Sequence, residues 1–154
     1  MIEITLNSAE LLVAAQVGSM RRVASMKRKL GVYLHSGKDN WAIDIDGAAA
    51  EMAVAKHLNV YWVPSVNTGK SADVGNFQVR STEHEHGKLI IRENDAKNEK
   101  FILVIYKPPT FKIVGWIYSD DAKTNKYWKE PDEIGVGAWW VPQSDLRPME
   151  TIND

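Results

Sequence analysis

The sequence contains no cysteine. Disulfides, thiolate zinc sites, iron–sulfur clusters and thiol nucleophiles are therefore excluded. Long apolar runs are also missing: no stretch approaches the roughly 20 residues that a membrane helix needs. The first residues lack the basic segment followed by an apolar segment that is typical of a secretory signal. We therefore expect a cytoplasmic protein with no membrane partner.

A charge excess of either sign is absent as well. The chain has 19 Lys and Arg against 20 Asp and Glu, a formal net charge of -1. The total charge therefore does not indicate a polyanionic partner, and any nucleic-acid contact has to come from local patches. At 154 residues, with 44% apolar and 25% charged residues, the composition is that of one ordinary globular domain.

Hydrophobic periodicity and turn signals predict two helices followed by a set of mostly β segments. The first helix is expected to be capped by Asn7 or Ser8 and to run to about Leu30, with an apolar stripe at Val13, Val17, Met20, Val23 and Leu30. A loop over 31–40 separates it from an alanine-rich helix over 41–58. We predict one domain over 1–154, of class α/β (α+β), with an N-terminal part (1–40) and a core (41–149). The main predicted strands are 77–82, 88–92, 101–106, 111–118 and 138–141, and 101–106 has the continuous apolar pattern of a strand buried on both faces.

The second half of the first helix carries a group of basic residues. Arg21 and Arg28 are seven residues apart, as are Arg22 and Lys29, so the four share one helical face. One interpretation is a surface that contacts nucleic-acid phosphates. The other is an ordinary solvated face.

Glu51 falls on the small-residue side of the second helix, in the same arc as Ala48 and Ala55. A carboxylate in such surroundings is costly unless it is paired or bound to a cation. It is therefore a candidate metal ligand. The alternative is a buried ion pair, with Lys70 from the turn over 67–71 or Arg80 as its partner.

A second polar group begins at Asp73, just before the predicted strand over 77–82. Gln78 and Arg80 share the strand face opposite Phe77 and Val79. An aspartate, an amide oxygen and a cation near a helix-borne glutamate would suit a hard divalent ion and a phosphate. As a sequence pattern, Asp-x4-Gln-x-Arg is common on polar edge strands.

Together these features resemble the PD-(D/E)XK nuclease superfamily, which has the restriction-endonuclease-like fold, a mixed central sheet flanked by helices. Within it the chain is similar to small proteins of tailed phages. The resemblance covers about Trp41 to Met149. The short motifs that carry it are Asp73-Val74-Gly75, Gln78-Val79-Arg80, 89–95, Gly115-Trp116-Ile117 and Val141-Pro142-Gln143.

The resemblance implies a DNA nuclease that uses Mg²⁺ or Mn²⁺ in the host cytoplasm. Glu51, Asp73, Gln78 and the Val79 carbonyl would be metal ligands. Arg80 would meet the scissile phosphate or its water, and Arg21, Arg22, Arg28, Lys29 and Lys70 would contact the DNA backbone. Action as a homodimer is a further expectation.

Two departures from the family pattern bear on cleavage. Gln78 stands in place of an acid, which removes a negative charge and weakens Mg²⁺ binding. Arg80 stands in place of lysine and cannot act as a base, because a guanidinium in a protein keeps its proton. The alternative is therefore a catalytically inactive protein of the same fold that binds DNA or a host protein as a regulator or inhibitor. A phage structural or assembly protein is a third possibility.

Three residues beyond this strand are accessory candidates. His84 and His86 share one face if the strand continues, and imidazole side chains serve in proton transfer and as metal ligands. Their alternative is a polar hairpin tip before Gly87. Asp95 is either an accessory acid or a loop aspartate that caps a turn.

Overall fold

The computed structural model describes residues 1–28, 39–66, 71–130 and 137–153. The chain is of the mixed α+β class, as predicted. Its strands are β1 (Ile2–Thr5), β2 (Phe77–Thr82), β3 (Leu89–Arg92), β4 (Lys100–Lys107), β5 (Thr110–Tyr118), β6 (Trp128–Lys129) and β7 (Ala138–Val141). Its α-helices are α1 (Ser8–Lys27), α2 (Asn40–Leu58) and α3 (Ser119–Ala122), and short 3₁₀ turns lie at Gln143–Asp145 and Met149–Thr151.

The strands form two sheets within the described residues. The first has the order β1-β5-β4-β2, in which β2 and β4 are parallel and the other pairs antiparallel. The second is antiparallel with the order β3-β7-β6. Because the first sheet has a helix layer on one face and the second sheet on the other, the described fold has three layers.

Strand β4 lies at the centre of these layers, and residues 101–106 are all buried. Ile102 and Val104 belong to the core on the helix side, whereas Phe101 and Leu103 belong to the core against the second sheet. The prediction of a strand buried on both faces is therefore confirmed. Strand β5, which matches the predicted 111–118 to within one residue, pairs antiparallel with β4.

Helix α1 starts where the sequence predicts. The Asn7 side chain accepts a hydrogen bond from the Glu10 backbone N–H, and the Glu10 carboxylate accepts one from the Asn7 N–H, which makes a capping box. The helix ends at Lys27, three residues before the predicted end at Leu30. The predicted loop over 31–40 lies largely outside the described residues.

The predicted apolar stripe of α1 is wrong at three of its five positions. Val13, Met20 and Val23 are 45%, 58% and 41% exposed, whereas Val17 is buried as predicted, and Leu30 lies outside the described residues. The other buried residues of the helix are Ala14, Gly18 and Arg22. A Cβ atom at Gly18 would lie 2.5 Å from the Cα of Ile45, so α1 approaches α2 through its small residues rather than its large ones.

Helix α2 matches its prediction to within one residue. The Asp39 side chain caps its start by accepting from the Trp41 N–H, and Asn59 ends it in a left-handed conformation with φ 53°. Its buried residues include five alanines, Ala48, Ala49, Ala50, Ala53 and Ala55, which allow α1 and the sheet to pack closely around it. None of α1, α2 and α3 has the length and apolar character needed to cross a membrane.

Strand β2 occupies the edge of the first sheet beside β4. Its bounds agree with the predicted 77–82, and so does its alternation. Val79 belongs to the helix-side core, while the Arg80 guanidinium lies 4.9 Å from the ring centre of Phe101 in the other core. The edge strand thus presents its predicted site residues to two different faces.

Candidate functional site

Glu51 is buried on α2, and its carboxylate is bound by Arg21 of α1. Arg21 Nη1 lies 2.6 Å from Glu51 Oε1, and Nη2 lies 2.8 Å from Oε2. The Trp62 indole N–H donates to Oε2 at 3.2 Å, and Arg21 Nε donates to the Ser65 carbonyl at 2.9 Å. Two parallel donors on one carboxylate are the strong form of this ion pair. Burial acts to lower the pKa of Arg21, but its bonds to Glu51 outweigh this and raise it.

The alternative interpretation of Glu51, a buried ion pair, is therefore realised with a different partner. Lys70 lies outside the described residues, and Arg80 is paired with Asp95. The sequence pattern instead groups Arg21 with Arg28, seven residues later, on one face of the helix. Sequence spacing alone gives no signal for a contact between residues on two separate helices.

Asp73 precedes β2 and is fixed by its backbone surroundings. Its Oδ2 accepts from the Val79 N–H at 2.8 Å, and its own N–H donates to the Phe77 carbonyl at 2.9 Å. Burial and, after it, repulsion from Glu51 raise the pKa of this carboxyl to about 6, against the lowering effects of the Val79 N–H, Arg80 and Arg21. The charges of Glu51 and Asp73 are thus close enough to interact electrostatically.

Arg80 is held by Asp95 on the other side of β2. Its Nη2 lies 2.8 Å from Asp95 Oδ1, while Asp95 Oδ2 accepts from the Arg92 backbone N–H at 2.8 Å. Asp95 therefore caps the turn after β3, as its alternative interpretation proposed, and also orients Arg80. Since Arg80 is 31% exposed, its guanidinium is fixed but still reachable from solvent.

Gln78 and Val79 offer neutral oxygens rather than charge. Gln78 is buried, and its amide nitrogen lies 3.5 Å from the Ser71 carbonyl, which is a long hydrogen bond. The Val79 carbonyl has an Arg80 nitrogen 3.4 Å away. By the alternation of β2, Gln78 lies on the Arg80 side of the strand, whereas Glu51 lies in the helix layer.

The basic face predicted on α1 is not a row of outward cations. Arg21 binds Glu51, and Arg22 is 8% exposed with its Nε 2.9 Å from Asp44 Oδ2. Arg22 and Asp44 are close enough to form an ion pair, but their atoms are not aligned for a hydrogen bond. Burial raises the pKa of Asp44, and Arg22 and Arg21 offset part of that rise. Arg28 is exposed at the C-cap of α1, and Lys29 and Lys70 lie outside the described residues.

His84 and His86 lie in the exposed turn that follows β2. The His84 backbone N–H donates to Thr82 Oγ1, and its carbonyl accepts from the Gly87 N–H. Glu85 between them binds Lys107 at 2.6 Å and Lys112 at 2.7 Å. Through the part of the chain that the structure describes, no hydrogen bond joins either imidazole to Glu51, Asp73 or Arg80.

The described side chains can be compared with the ligands that a divalent ion needs. Across 1–28, 39–66, 71–130 and 137–153, no group of three or more His, Asp or Glu side chains is placed to hold a metal. Mg²⁺ is commonly bound by only one or two carboxylates plus waters and substrate phosphate. Asp73 has no ion pair within those ranges, and its pKa is raised first by burial and then by repulsion from Glu51. A single largely hydrated ion on Asp73 is the arrangement that these residues could hold, because both oxygens of Glu51 already accept hydrogen bonds from Arg21.

Comparison with known proteins gives no match: no family model, no curated protein and no solved structure is significantly similar to the chain. The inference of function therefore depends on the geometry around Asp73.

Proposed function

We propose that the chain is a restriction-endonuclease-like nuclease that hydrolyses phosphodiester bonds in DNA with the help of Mg²⁺ or Mn²⁺. The observation that carries the proposal is the buried carboxyl of Asp73, whose pKa is raised to about 6 by burial and by repulsion from Glu51. Perturbed carboxyl groups of this kind are concentrated at functional sites.

Asp73 and Glu51 are the residues that would hold the ion, and the neutral oxygens of Gln78 and Val79 are the further candidates on β2. The ion would polarise the phosphodiester and lower the pKa of an attacking water. Asp73 is already oriented, because the Val79 N–H holds its Oδ2 at 2.8 Å. That contact leaves the other oxygen of the carboxylate to bind the cation.

Arg80 would bind the scissile phosphate. A guanidinium can give two parallel hydrogen bonds to a phosphate, and it stays charged at any working pH. Asp95 fixes one nitrogen of Arg80 at 2.8 Å, so the group is oriented before substrate arrives. Arg80 would thus stabilise developing negative charge and would not accept the proton from water.

A second function is favoured by one contact, the bidentate hold of Arg21 on Glu51. Since that guanidinium already neutralises Glu51, the chain would bind DNA or a host protein without cutting it. Under this alternative the fold is kept and the cation is dispensable.

A cleavage assay on supercoiled and linear DNA, with Mg²⁺, Mn²⁺ or a chelator, separates the two. The nuclease proposal expects cleavage by the wild-type chain in either metal, none with chelator, and loss of cleavage in Asp73→Asn. Asp121→Asn is the matched control, because Asp121 is an exposed acid paired with Arg147. Binding that needs no cation, without cleavage, supports the second function. Cleavage by Asp73→Asn at the wild-type rate would remove Asp73 from the mechanism.

A further inference from the structure

The second sheet, formed by β3, β7 and β6, has one face in the core and one face towards solvent. Leu89, Ile91 and Val141 belong to the core that this sheet shares with β4. Successive side chains of a strand point to opposite faces, so Ile90 and Trp140 lie on the other face. We call this other side the outer face; Trp140 is 37% exposed there. A large aromatic ring is thus open to a ligand.

The strand register places cations beside Trp140 on both neighbouring strands. Ala138 pairs with Arg92 of β3 on one side and with Lys129 of β6 on the other. Trp140 lies two residues further along β7, so it shares the outer face with these three residues. Its ring centre is 5.1 Å from the Lys129 ammonium. The outer face therefore combines an exposed ring with two exposed basic side chains.

Lys129 is the cation best placed to meet an anionic ligand. It is exposed, and within the described residues it has no acidic partner. The next acid along the chain, Glu130, accepts the Trp128 indole N–H at 2.8 Å, on the opposite side of β6. The charge that lies over the Trp140 ring is therefore positive, which suits a negatively charged ligand.

The outer face is joined to the candidate site through Asp95. One oxygen of this carboxylate accepts from the Arg92 backbone N–H and the other binds the Arg80 guanidinium, each at 2.8 Å. Lys123 donates to the Asp95 carbonyl at 2.6 Å and lies 5.6 Å from the ring centre of Trp139. Cations therefore extend from the outer face to Arg80, the proposed phosphate ligand.

We propose that the outer face binds single-stranded DNA, with an unpaired base stacked on Trp140 and the adjacent phosphates on Lys129 and Arg92. A single strand presents the flat faces of its bases, which aromatic side chains bind with little regard to sequence. In a duplex those faces are stacked on one another, so the ring cannot reach them. The choice of DNA rests on the proposed function, whereas the choice of a single strand depends on the exposed ring and its cations.

Fluorescence anisotropy with a labelled oligothymidine of about 16 nucleotides, in chelator, measures this binding apart from metal-dependent cleavage. We expect the wild-type chain to bind the single strand at least about tenfold more tightly than a duplex of the same length. Trp140→Ala should weaken binding about tenfold, and Trp140→Phe, which keeps an aromatic ring, should weaken it less. Trp41→Ala is the matched control, because Trp41 is a tryptophan of similar exposure, at 39%, on α2.

Lys129→Ala tests the phosphate contact without removing a ring, and its circular dichroism should be unchanged because Lys129 is exposed. It should weaken binding and reduce the slope of log affinity against log salt by about 0.7. Equal affinity for duplex and single strand, or wild-type affinity in both Trp140→Ala and Lys129→Ala, overturns the inference. Tighter binding of oligouridine than of oligothymidine overturns the choice of DNA. Failure of the wild type to bind in chelator also overturns the inference, whereas an absence of metal-dependent cleavage would overturn the proposed function alone.

Discussion

Arg21 and Glu51 join the two long helices through a bidentate pair, with N–O distances of 2.6 and 2.8 Å. Arg21 also lowers the pKa of Asp73, while Glu51 raises it, so the pair sets the charge environment of the candidate site. The first helix, which the sequence assigns to a part outside the nuclease-like core, thus supplies a residue of that site. The placement of α1 against α2 is then a condition of the proposed function.

That placement depends on Gly18. A Cβ atom there would lie 2.5 Å from the Ile45 Cα and 2.7 Å from the Asp44 carbonyl oxygen. Gly18→Ala is expected to push the helices apart and to lower the free energy of unfolding by about 2–3 kcal/mol, measured by urea denaturation. In the matched helix substitution Gly47→Ala the new methyl group meets nothing within 4 Å. That variant should be stabilised by about 0.5–1 kcal/mol, and equal losses in both would contradict the close approach at Gly18.

Removing Arg21 should destabilise the fold, because Glu51 would be left as a buried and unpaired charge. Arg21→Met is expected to lower the free energy of unfolding at neutral pH by about 2–3 kcal/mol. Lys107→Met removes an ion pair from a side chain that is 60% exposed, and its expected cost is under about 1 kcal/mol. Denaturation curves that give the same loss for both would show that burial of Glu51 carries no penalty.

The pKa of Asp73 predicts a pH dependence of stability. Its folded value of about 6 lies above the ordinary 3.8, so between these values the folded chain holds a proton that the unfolded chain releases. Stability from this group is therefore present at low pH and is lost as the pH rises towards 6. From about pH 4 to pH 7, the free energy of unfolding of the wild type should fall relative to that of Asp73→Asn, by at most about 3 kcal/mol. A pH-independent difference, or one of opposite sign, would contradict the raised pKa.

The sequence predicts those parts of the structure that depend on patterns of neighbouring residues. The start of α1 at Asn7, the bounds of β2 and the double burial of β4 come from short patterns, and all three are confirmed. The buried face of α1 is predicted correctly at Val17 and wrongly at Val13, Met20 and Val23, because the close approach at Gly18 favours small residues in the contact with α2.

In the candidate site too, the sequence indicates the individual residues but not the contacts between distant segments. The sequence selects Glu51, Asp73, Arg80 and Asp95 from their own surroundings. The contacts of Arg21 and Trp62 with Glu51 are not visible in it, because they join residues 30 and 11 positions apart on separate segments.

If the chain cuts DNA, Arg80 and Asp95 should differ in their effects on the rate. Arg80→Ala is expected to lower the cleavage rate by about 100-fold, as for loss of one donor to the developing charge. Asp95→Asn keeps an oxygen acceptor for Arg80, so its loss should be nearer tenfold, since a neutral acceptor makes the weaker hydrogen bond. Arg147→Ala is a suitable control, because that arginine pairs with Asp121 near the surface. Rates equal to wild type in Arg80→Ala would exclude it as the phosphate ligand.

The central claim is that Asp73 is the anchor of a divalent cation, and calorimetric titration with Mn²⁺ at pH 7.5 tests it without any need for turnover. We predict binding of one ion per chain to the wild type and its loss in Asp73→Asn, with Asp121→Asn binding like the wild type. Equal Mn²⁺ affinity in wild type and Asp73→Asn, or no binding to the folded wild-type chain, would contradict the account.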